Sequence, residues 1–289
     1  MTTTAQWVEG ARPRTLPAAL SPVLVGTGAA AAADGARLGR ALLALVVALA
    51  LQIGVNYAND YSDGIRGTDD ARVGPLRLVG SGVARPKAVL AAALGAFAVA
   101  AVVGLVLALL TSPLLLVVGA AALFAAWGYT GGKSPYGYRG LGEVSVFVFF
   151  GLVAVLGTTY VQTGHLSLLA LAGGVASGAL ACSILVTNNL RDIPTDSVSG
   201  KQTLAVRIGD PRTRLLYTLL VALPFGLALA LAPARPGALL ALLALPLAVG
   251  PVRIVRSGAT GRDLVAALKG TGQLQLAYGV LLGLGLALS

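Results

Sequence analysis

The sequence predicts an all-α, polytopic membrane protein, and three observations carry that expectation. Hydrophobic residues make up 56% of the 289 and charged residues only 11%, where soluble domains carry roughly a quarter charged. Mean hydropathy is +0.84, and the apolar runs between polar breaks recur at membrane-spanning length. The 38 glycines suit helices that approach one another closely in lipid.

Nine spans are expected, near 15–33, 38–58, 87–110, 113–130, 143–162, 166–190, 212–232, 237–256 and 271–289. The first contains Pro17 and Pro22 and has the weakest helical pattern. Met1 to Gly10 is polar, with no short apolar core ahead of a cleavage site, so no signal-peptide pattern is present. The third and fourth spans are joined by a minimal link, Thr111-Ser112-Pro113. The opposite side carries long connections, as functional loops on a rigid scaffold do. The chain reads as one transmembrane domain over 1–289, with cap loops at about 59–86, 129–143 and 188–211.

Charge sets the orientation. Net charge is +10, and all but Arg37, Arg40 and Arg235 of the 21 Lys and Arg fall on the side that holds the N-terminus. The positive-inside rule then gives N-in, C-out. Of eleven acids, only Asp34 falls on the other side. Basic loops facing anionic lipid account for the cations, but not for the acids gathered among them. A lone Cys182 in an apolar run excludes a disulfide framework. With one histidine besides, His165 in the link between spans five and six, a zinc site is excluded too. His165 reads as an interfacial polar residue. There is no P-loop, and cations scattered among membrane loops do not make a nucleic-acid surface.

The chemistry gathers at two acidic segments. Asn56, Asp60 and Asp63 follow the second span at i, i+4 and i+7, one face of a continuing helix. A helix C-terminus is the negative end of its dipole and disfavours carboxylates unless a cation is bound there. Oxygen ligands suit a hard ion such as Mg²⁺. Downstream stand Asp69, Asp70, Arg66, Arg72, Arg77 and Arg85. After the sixth span come Asn188, Asn189, Asp192 and Asp196, with Lys201 following. Pro194 disfavours helix at Ile193, so this second pair is expected at a kink or a helix end. Asp60 and Asp192 each follow an Asn by four residues, which reads as a duplicated half-site. Between the two, Tyr129 to Glu143 is glycine-rich and carries Lys133 and Arg139. Around it stand Phe124, Phe147, Phe149, Phe150 and Trp127, either an interfacial belt or a cation-stabilising wall. Acids with Lys and Arg on one face fit a metal-bridged diphosphate, and the adjoining membrane fits a hydrocarbon tail.

Asn56-x3-Asp60-x2-Asp63 and Asp192-x3-Asp196 resemble the two Asp-rich signatures of the intramembrane aromatic prenyltransferases. Further residues are most similar to the menaquinone branch, whose acceptor is 1,4-dihydroxy-2-naphthoate. These are Arg12-Pro-Arg-Thr-Leu-Pro17, Asn59 to Asp70, Tyr129-Thr-Gly-Gly132, Gly140-Leu-Gly-Glu143 and Asn188 to Arg207. The resemblance implies nine helices around a central cavity that opens laterally to lipid beneath a cytoplasmic cap. It implies Mg²⁺ held by Asp60, Asp63, Asp192 and Asp196, with Asn56 and Asn189 assisting. Lys201, Arg66, Asn59, Lys133 and Tyr129 would bind the diphosphate. Arg12 or Arg14 would meet the acceptor carboxylate, and Glu143 a naphthol hydroxyl. The implied reaction joins polyprenyl diphosphate to the naphthoate with loss of CO₂, in a bacterial plasma membrane with the site on the cytoplasmic side. Other aromatic acceptors, 4-hydroxybenzoate or homogentisate, are the alternative within the class. A CDP-alcohol phosphotransferase fails on motif spacing. A secondary transporter would place ionisable groups near mid-bilayer, whereas these acids stand at helix ends.

Overall fold

A computed structural model describes residues 2–67 and 76–289. Asp69, Asp70 and Arg72 lie outside the described residues. Helix α1, Thr4–Gly10, precedes the first expected span and opens on a capping box in which Thr3 and Gln6 bond reciprocally. The longer helices follow as α2 (Pro17–Ala31), α3 (Leu38–Ile65), α4 (Pro86–Leu110), α5 (Leu114–Gly128), α6 (Gly142–Thr163) and α7 (Leu168–Val198). After the short α8 (Leu204–Ile208) come α9 (Asp210–Leu231), α10 (Pro236–Arg256) and α11 (Leu264–Ala287). Among the described residues, α3, α4, α6, α7, α9 and α10 are long and apolar enough to cross a membrane; α2 and α5 are apolar but shorter. Helix α11 has the length, and Gln273 and Gln275 lower its hydropathy.

Helix α11 starts at Leu264, seven residues ahead of the expected span, and two further boundaries differ at the acidic segments. Helix α3 runs on to Ile65, so 59–65 is helix and not cap loop. Asn, Asp and Gly are weak helix formers, but Asn56, Asn59, Asp60 and Asp63 each find a partner on another segment. Helix α7 likewise passes 190 and continues through Pro194 to Val198. The Thr195, Ser197 and Ser199 hydroxyls donate to the carbonyls of Asp192, Ile193 and Asp196 in these last turns. They supply bonds in the stretch where proline removes one.

Helix α7 is the most buried of the six candidate spans. The larger apolar cluster surrounds it with α9, α10 and α11, through Leu180, Tyr217, Leu274 and Leu282. Within this cluster Phe225 and Tyr278 meet edge to face at 5.6 Å, a favourable aromatic geometry. Their neighbour bonds are satisfied: the Tyr278 hydroxyl donates to the Pro224 carbonyl at 2.7 Å. Helix α2 lies along α11 so closely that a Cβ on Gly28 would stand 2.2 Å from the Gly283 carbonyl oxygen. The smaller cluster joins α1, α3, α4 and the segment before α4 through Tyr57, Leu78, Val89 and Phe97. Between the two clusters, α2, α3, α5, α6 and α7 enclose the internal cavities.

Candidate active site

Helices α3 and α7 bring their acidic ends to opposite walls of one polar cleft of about 150 Å³. Asn59 and Asp63 line it from α3; Asn188, Asn189, Asp192 and Asp196 line it from α7. The i, i+4 pair that faces the cleft on α3 is therefore Asn59–Asp63, matching Asn188–Asp192 on α7. The Asn56–Asp60 pair read as the repeat does not line the cleft; Asn59–Asp63 does.

Asp63 is the electrostatic centre of the α3 wall. It accepts a short hydrogen bond from the Tyr138 hydroxyl, and Lys201 Nζ stands 3.6 Å and Arg77 Nη2 3.8 Å from its oxygens. Lys201 also lies over the Tyr138 ring, 4.5 Å from its centroid, a cation–π distance. On the α7 wall, the Arg191 guanidinium grips Asp192 in a bidentate pair at 2.6 and 2.7 Å. The Asp196 carbonyl accepts from the Lys201 amide at 2.9 Å, which sets the lysine beside the cleft.

Asp60 and Asn56, expected as ligands, are not among the residues that line the cleft. Asp60 is 0% exposed, and its two oxygens accept the backbone N–H groups of Leu78 and Val79 at 2.7 and 3.0 Å. Its carboxylate thus fixes the segment that delivers Arg77 to Asp63. Asn56 donates to the Ala11 carbonyl and to Thr15 Oγ1, which also accepts from Gln52. These bonds hold the turn in which Arg12 adopts a left-handed backbone, φ 55°. That conformation is uncommon for a residue other than glycine.

Two expected diphosphate ligands also fall outside the cleft lining. Arg66 donates to the carbonyls of Thr130 and Gly132, clasping the end of α3 to the 129–143 segment. Lys133 is exposed on that segment. Lys201, Asn59 and Tyr129 do line the cleft. Glu143 lies behind the wall, where Oε1 accepts from Asn189 Nδ2 at 2.8 Å and Oε2 is buried without a hydrogen-bond partner among the described residues. Arg12 borders the cleft and, with Arg14, a larger cavity of about 370 Å³. Arg77 and Tyr138 also line the cleft, and the sequence alone does not mark either as a site residue. Nothing in the spacing distinguishes Tyr138 from Tyr136, or Arg77 from the loop arginines around it.

Below the cleft the lining turns apolar. A chamber of about 180 Å³ shares Asn59, Tyr129, Leu185 and Asn188 with the cleft. It continues, through Ala18, Ala122, Phe149 and Phe150, into a tunnel of about 170 Å³ that reaches Val161 and Leu107. The wide π-helical turn Phe147–Val153 in α6 brings both phenylalanines to this passage. The aromatic group is thus divided. Phe149 and Phe150 form wall, Phe124 faces outward at 81% exposed, and Trp127 packs in the smaller apolar cluster. Tyr136, on the chamber wall outside the spans, donates to the Ala125 carbonyl and accepts from the Ser145 hydroxyl; burial raises its hydroxyl pKa above the usual value.

The donor set fits Mg²⁺, since every cleft-facing ligand candidate is a hard oxygen. Among the described residues no three Asp, Glu, His or Cys side chains cluster tightly enough to chelate an ion by themselves. Mg²⁺ is commonly bound by one or two carboxylates together with substrate phosphate, and two facing acidic walls suit that mode.

A polar, doubly acidic cleft above an apolar passage in a helical membrane bundle defines the class, and the chain belongs to the UbiA prenyltransferase family, whose profile matches residues 19–284. It is similar to the 1,4-dihydroxy-2-naphthoate octaprenyltransferase of Mycobacterium tuberculosis, 58% identical over 96% of this chain and 95% of the relative. The protein of the same name from Bacillus subtilis is 30% identical over 96% and 91%. Among solved structures, a UbiA homolog from Archaeoglobus fulgidus bound to GPP and Mg²⁺ superposes with a TM-score of 0.68 at 16% identity, covering 96% of this chain and 99% of that one.

Proposed function

We propose that this protein transfers a polyprenyl group from polyprenyl diphosphate to 1,4-dihydroxy-2-naphthoate, with release of diphosphate and CO₂. The observation that carries the donor half is the continuity of the cleft, chamber and tunnel, a polar mouth opening on an apolar passage. The acceptor half is supported by relatives that carry the naphthoate enzyme's name at up to 58% identity.

Asp63, Asp192 and Asp196 would hold Mg²⁺, with Asn59 and Asn189 adding amide oxygens. Bound there, the ion supplies Lewis-acid neutralisation of the leaving diphosphate. Lys201 and Arg77 contribute fixed positive charge on the Asp63 side, aimed where negative charge develops as the allylic C–O bond breaks. The bond's electron pair leaves with the diphosphate. Phe149, Phe150 and Tyr129 line the passage and exclude water from the allylic cation. An electron-rich ring carbon of the naphthoate supplies the pair for the new C–C bond. Loss of CO₂ returns a pair to the ring, so no net proton has to leave and no dedicated base is required.

The nine helices α2 to α7 and α9 to α11 are read as nine spans, N-in and C-out, in a bacterial plasma membrane. The cleft then opens to the cytoplasm. The distribution of Lys and Arg supports this orientation. Purified protein in detergent, given Mg²⁺, a polyprenyl diphosphate and a panel of naphthoate, 4-hydroxybenzoate and homogentisate, should prenylate the naphthoate and stop when EDTA is added. Prenylation of 4-hydroxybenzoate alone would overturn the acceptor and keep the class.

A further inference from the structure

One buried acid is left unused by the reaction. Glu143 stands in the first turn of α6 and is 8% exposed. It lines neither the cleft, nor the chamber, nor the tunnel, so a substrate in those spaces does not touch it. Two contacts fix its place against α7. The Cys182 thiol donates to the Glu143 carbonyl at 3.1 Å, and Asn189 Nδ2 donates to Glu143 Oε1 at 2.8 Å. Cys182 and Asn189 stand at i and i+7 on one helix face, so the start of α6 lies along α7 toward the cleft. Gly142 permits the approach: a Cβ there would stand 3.1 Å from the Tyr129 hydroxyl and 3.4 Å from Leu185 Cδ2. Oε2 is buried and accepts no hydrogen bond from a described residue. The positive end of the α6 dipole is what offsets such a charge.

The consequence falls on Asn189. A carboxamide has one donating and one accepting end, and a carboxylate only accepts. Glu143 therefore takes the Nδ2 end, and the Oδ1 end is left to the cleft that Asn189 lines. The two other cleft amides differ. Asn59 Oδ1 already accepts from Thr130 Oγ1 at 2.7 Å, and Asn188 Nδ2 donates within its own helix to the Ile184 carbonyl at 3.3 Å. Of the three, only Asn189 has its orientation set by a charged group among the described residues. It shares a helix face with the acids of that wall, since Asn189, Asp192 and Asp196 stand at i, i+3 and i+7. With the amide reversed, two N–H bonds would face a cation there and repel it.

We propose that Glu143 is a positioning residue for the divalent ion: its carboxylate holds the Asn189 amide with Oδ1, not Nδ2, presented to the metal. The inference rests on the metal-bridged diphosphate reading above. It adds to that reading a residue behind the wall that acts through Asn189 and meets neither substrate.

The test is Mn²⁺ binding to the full chain in detergent, with an unreactive thiolo analogue of geranyl diphosphate present, followed by water-proton relaxation. Wild type should hold Mn²⁺ under these conditions. Glu143→Met, which keeps the volume and offers no oxygen, and Glu143→Ala should each weaken it about tenfold, as loss of a group behind a metal ligand does. Glu143→Gln, which keeps an accepting oxygen, should lose less than about threefold. Asn189→Ala should match Glu143→Met, and the double variant should bind no more weakly than Asn189→Ala alone. In turnover, Glu143→Met should need more Mg²⁺, while its acceptor KM moves by less than about twofold. Unchanged Mn²⁺ affinity in Glu143→Met and Glu143→Ala overturns the assignment. Additive losses in the double variant do so as well, as does a Glu143→Gln variant as weak as Glu143→Met. A raised acceptor KM with Mn²⁺ affinity intact would set Glu143 against the acceptor and also overturns it. A wild type that holds no Mn²⁺ fails the metal reading of the cleft itself. A wild type that holds it, with Glu143 variants that hold it equally well, fails the Glu143 assignment alone.

Discussion

The acidic ends of α3 and α7 face one another across the same cleft, yet their carboxylates are held by different means. On α3 the partners come from far along the chain: Leu78 and Val79 for Asp60, and Tyr138, Lys201 and Arg77 for Asp63. On α7, Asp192 is gripped by its neighbour Arg191, and the last turns are tied by their own hydroxyls. The bonds that position Asp60 and Asp63 thus come from other stretches, while the Arg191–Asp192 pair lies within α7 itself. Acids of similar spacing therefore differ in what their removal would cost. Loss of Asp60 on α3 should loosen the segment that carries Arg77.

The largest effect is expected at the cleft-facing acids. Asp63→Asn and Asp192→Asn should each lower turnover at least about a hundredfold, and more Mg²⁺ should recover part of it. Melting should also fall in both, since each leaves a buried cation without its counter-ion, and a rate near wild type in either would remove that wall from the site. Asp60→Leu should break the symmetry another way. It leaves two buried N–H groups without acceptors, at about 1–3 kcal/mol each. Thermal melting should fall clearly, and Asp60→Asn should fall less while keeping the Mg²⁺ dependence of its residual activity near wild type. If Asp60→Asn instead matched Asp63→Asn in Mg²⁺ dependence with an unchanged melting point, Asp60 would rank as a ligand and the distinction would fail.

Smaller effects should sharpen the same contrast. Lys201→Ala removes the cation beside Asp63 and over Tyr138, and should raise the KM for prenyl diphosphate about tenfold, with little change for the acceptor. Tyr138→Phe, which removes the hydroxyl donor to Asp63 and keeps the ring under Lys201, should cost a few-fold in the same parameter. Arg66→Ala, outside the cleft, should be the mildest, a small fall in melting temperature with Mg²⁺ dependence unchanged.

Much of this arrangement is legible in the sequence because the bilayer imposes a strong pattern. Long apolar runs, a charge bias and two acidic segments on the basic side lead to a helical bundle with a polar end. What the sequence leaves open is register over a few residues. Asn56, Asn59, Asp60 and Asp63 are all oxygen-bearing residues on a helix, and spacing alone does not say which edge faces the other wall. That is decided by where Leu78 and Ala11 return to the helix. The same holds for the cations. Arg66 and Arg77 look equivalent in the chain, and only the folded path sends one to backbone carbonyls and the other to Asp63. Helix continuation through Pro194 was hidden for a related reason, since local preference argued for an end that side-chain bonds overrode.

Tyr138 occupies a position with a further consequence. Its hydroxyl meets Asp63, its ring lies beneath Lys201 and within 5.7 Å of the Arg66 guanidinium, and its carbonyl accepts from the Gln202 amide. A single side chain therefore acts as a keystone among three stretches widely spaced in the chain. An anion that draws Lys201 toward it competes with that ring and with Asp63, so its capture and the packing of these three stretches are coupled.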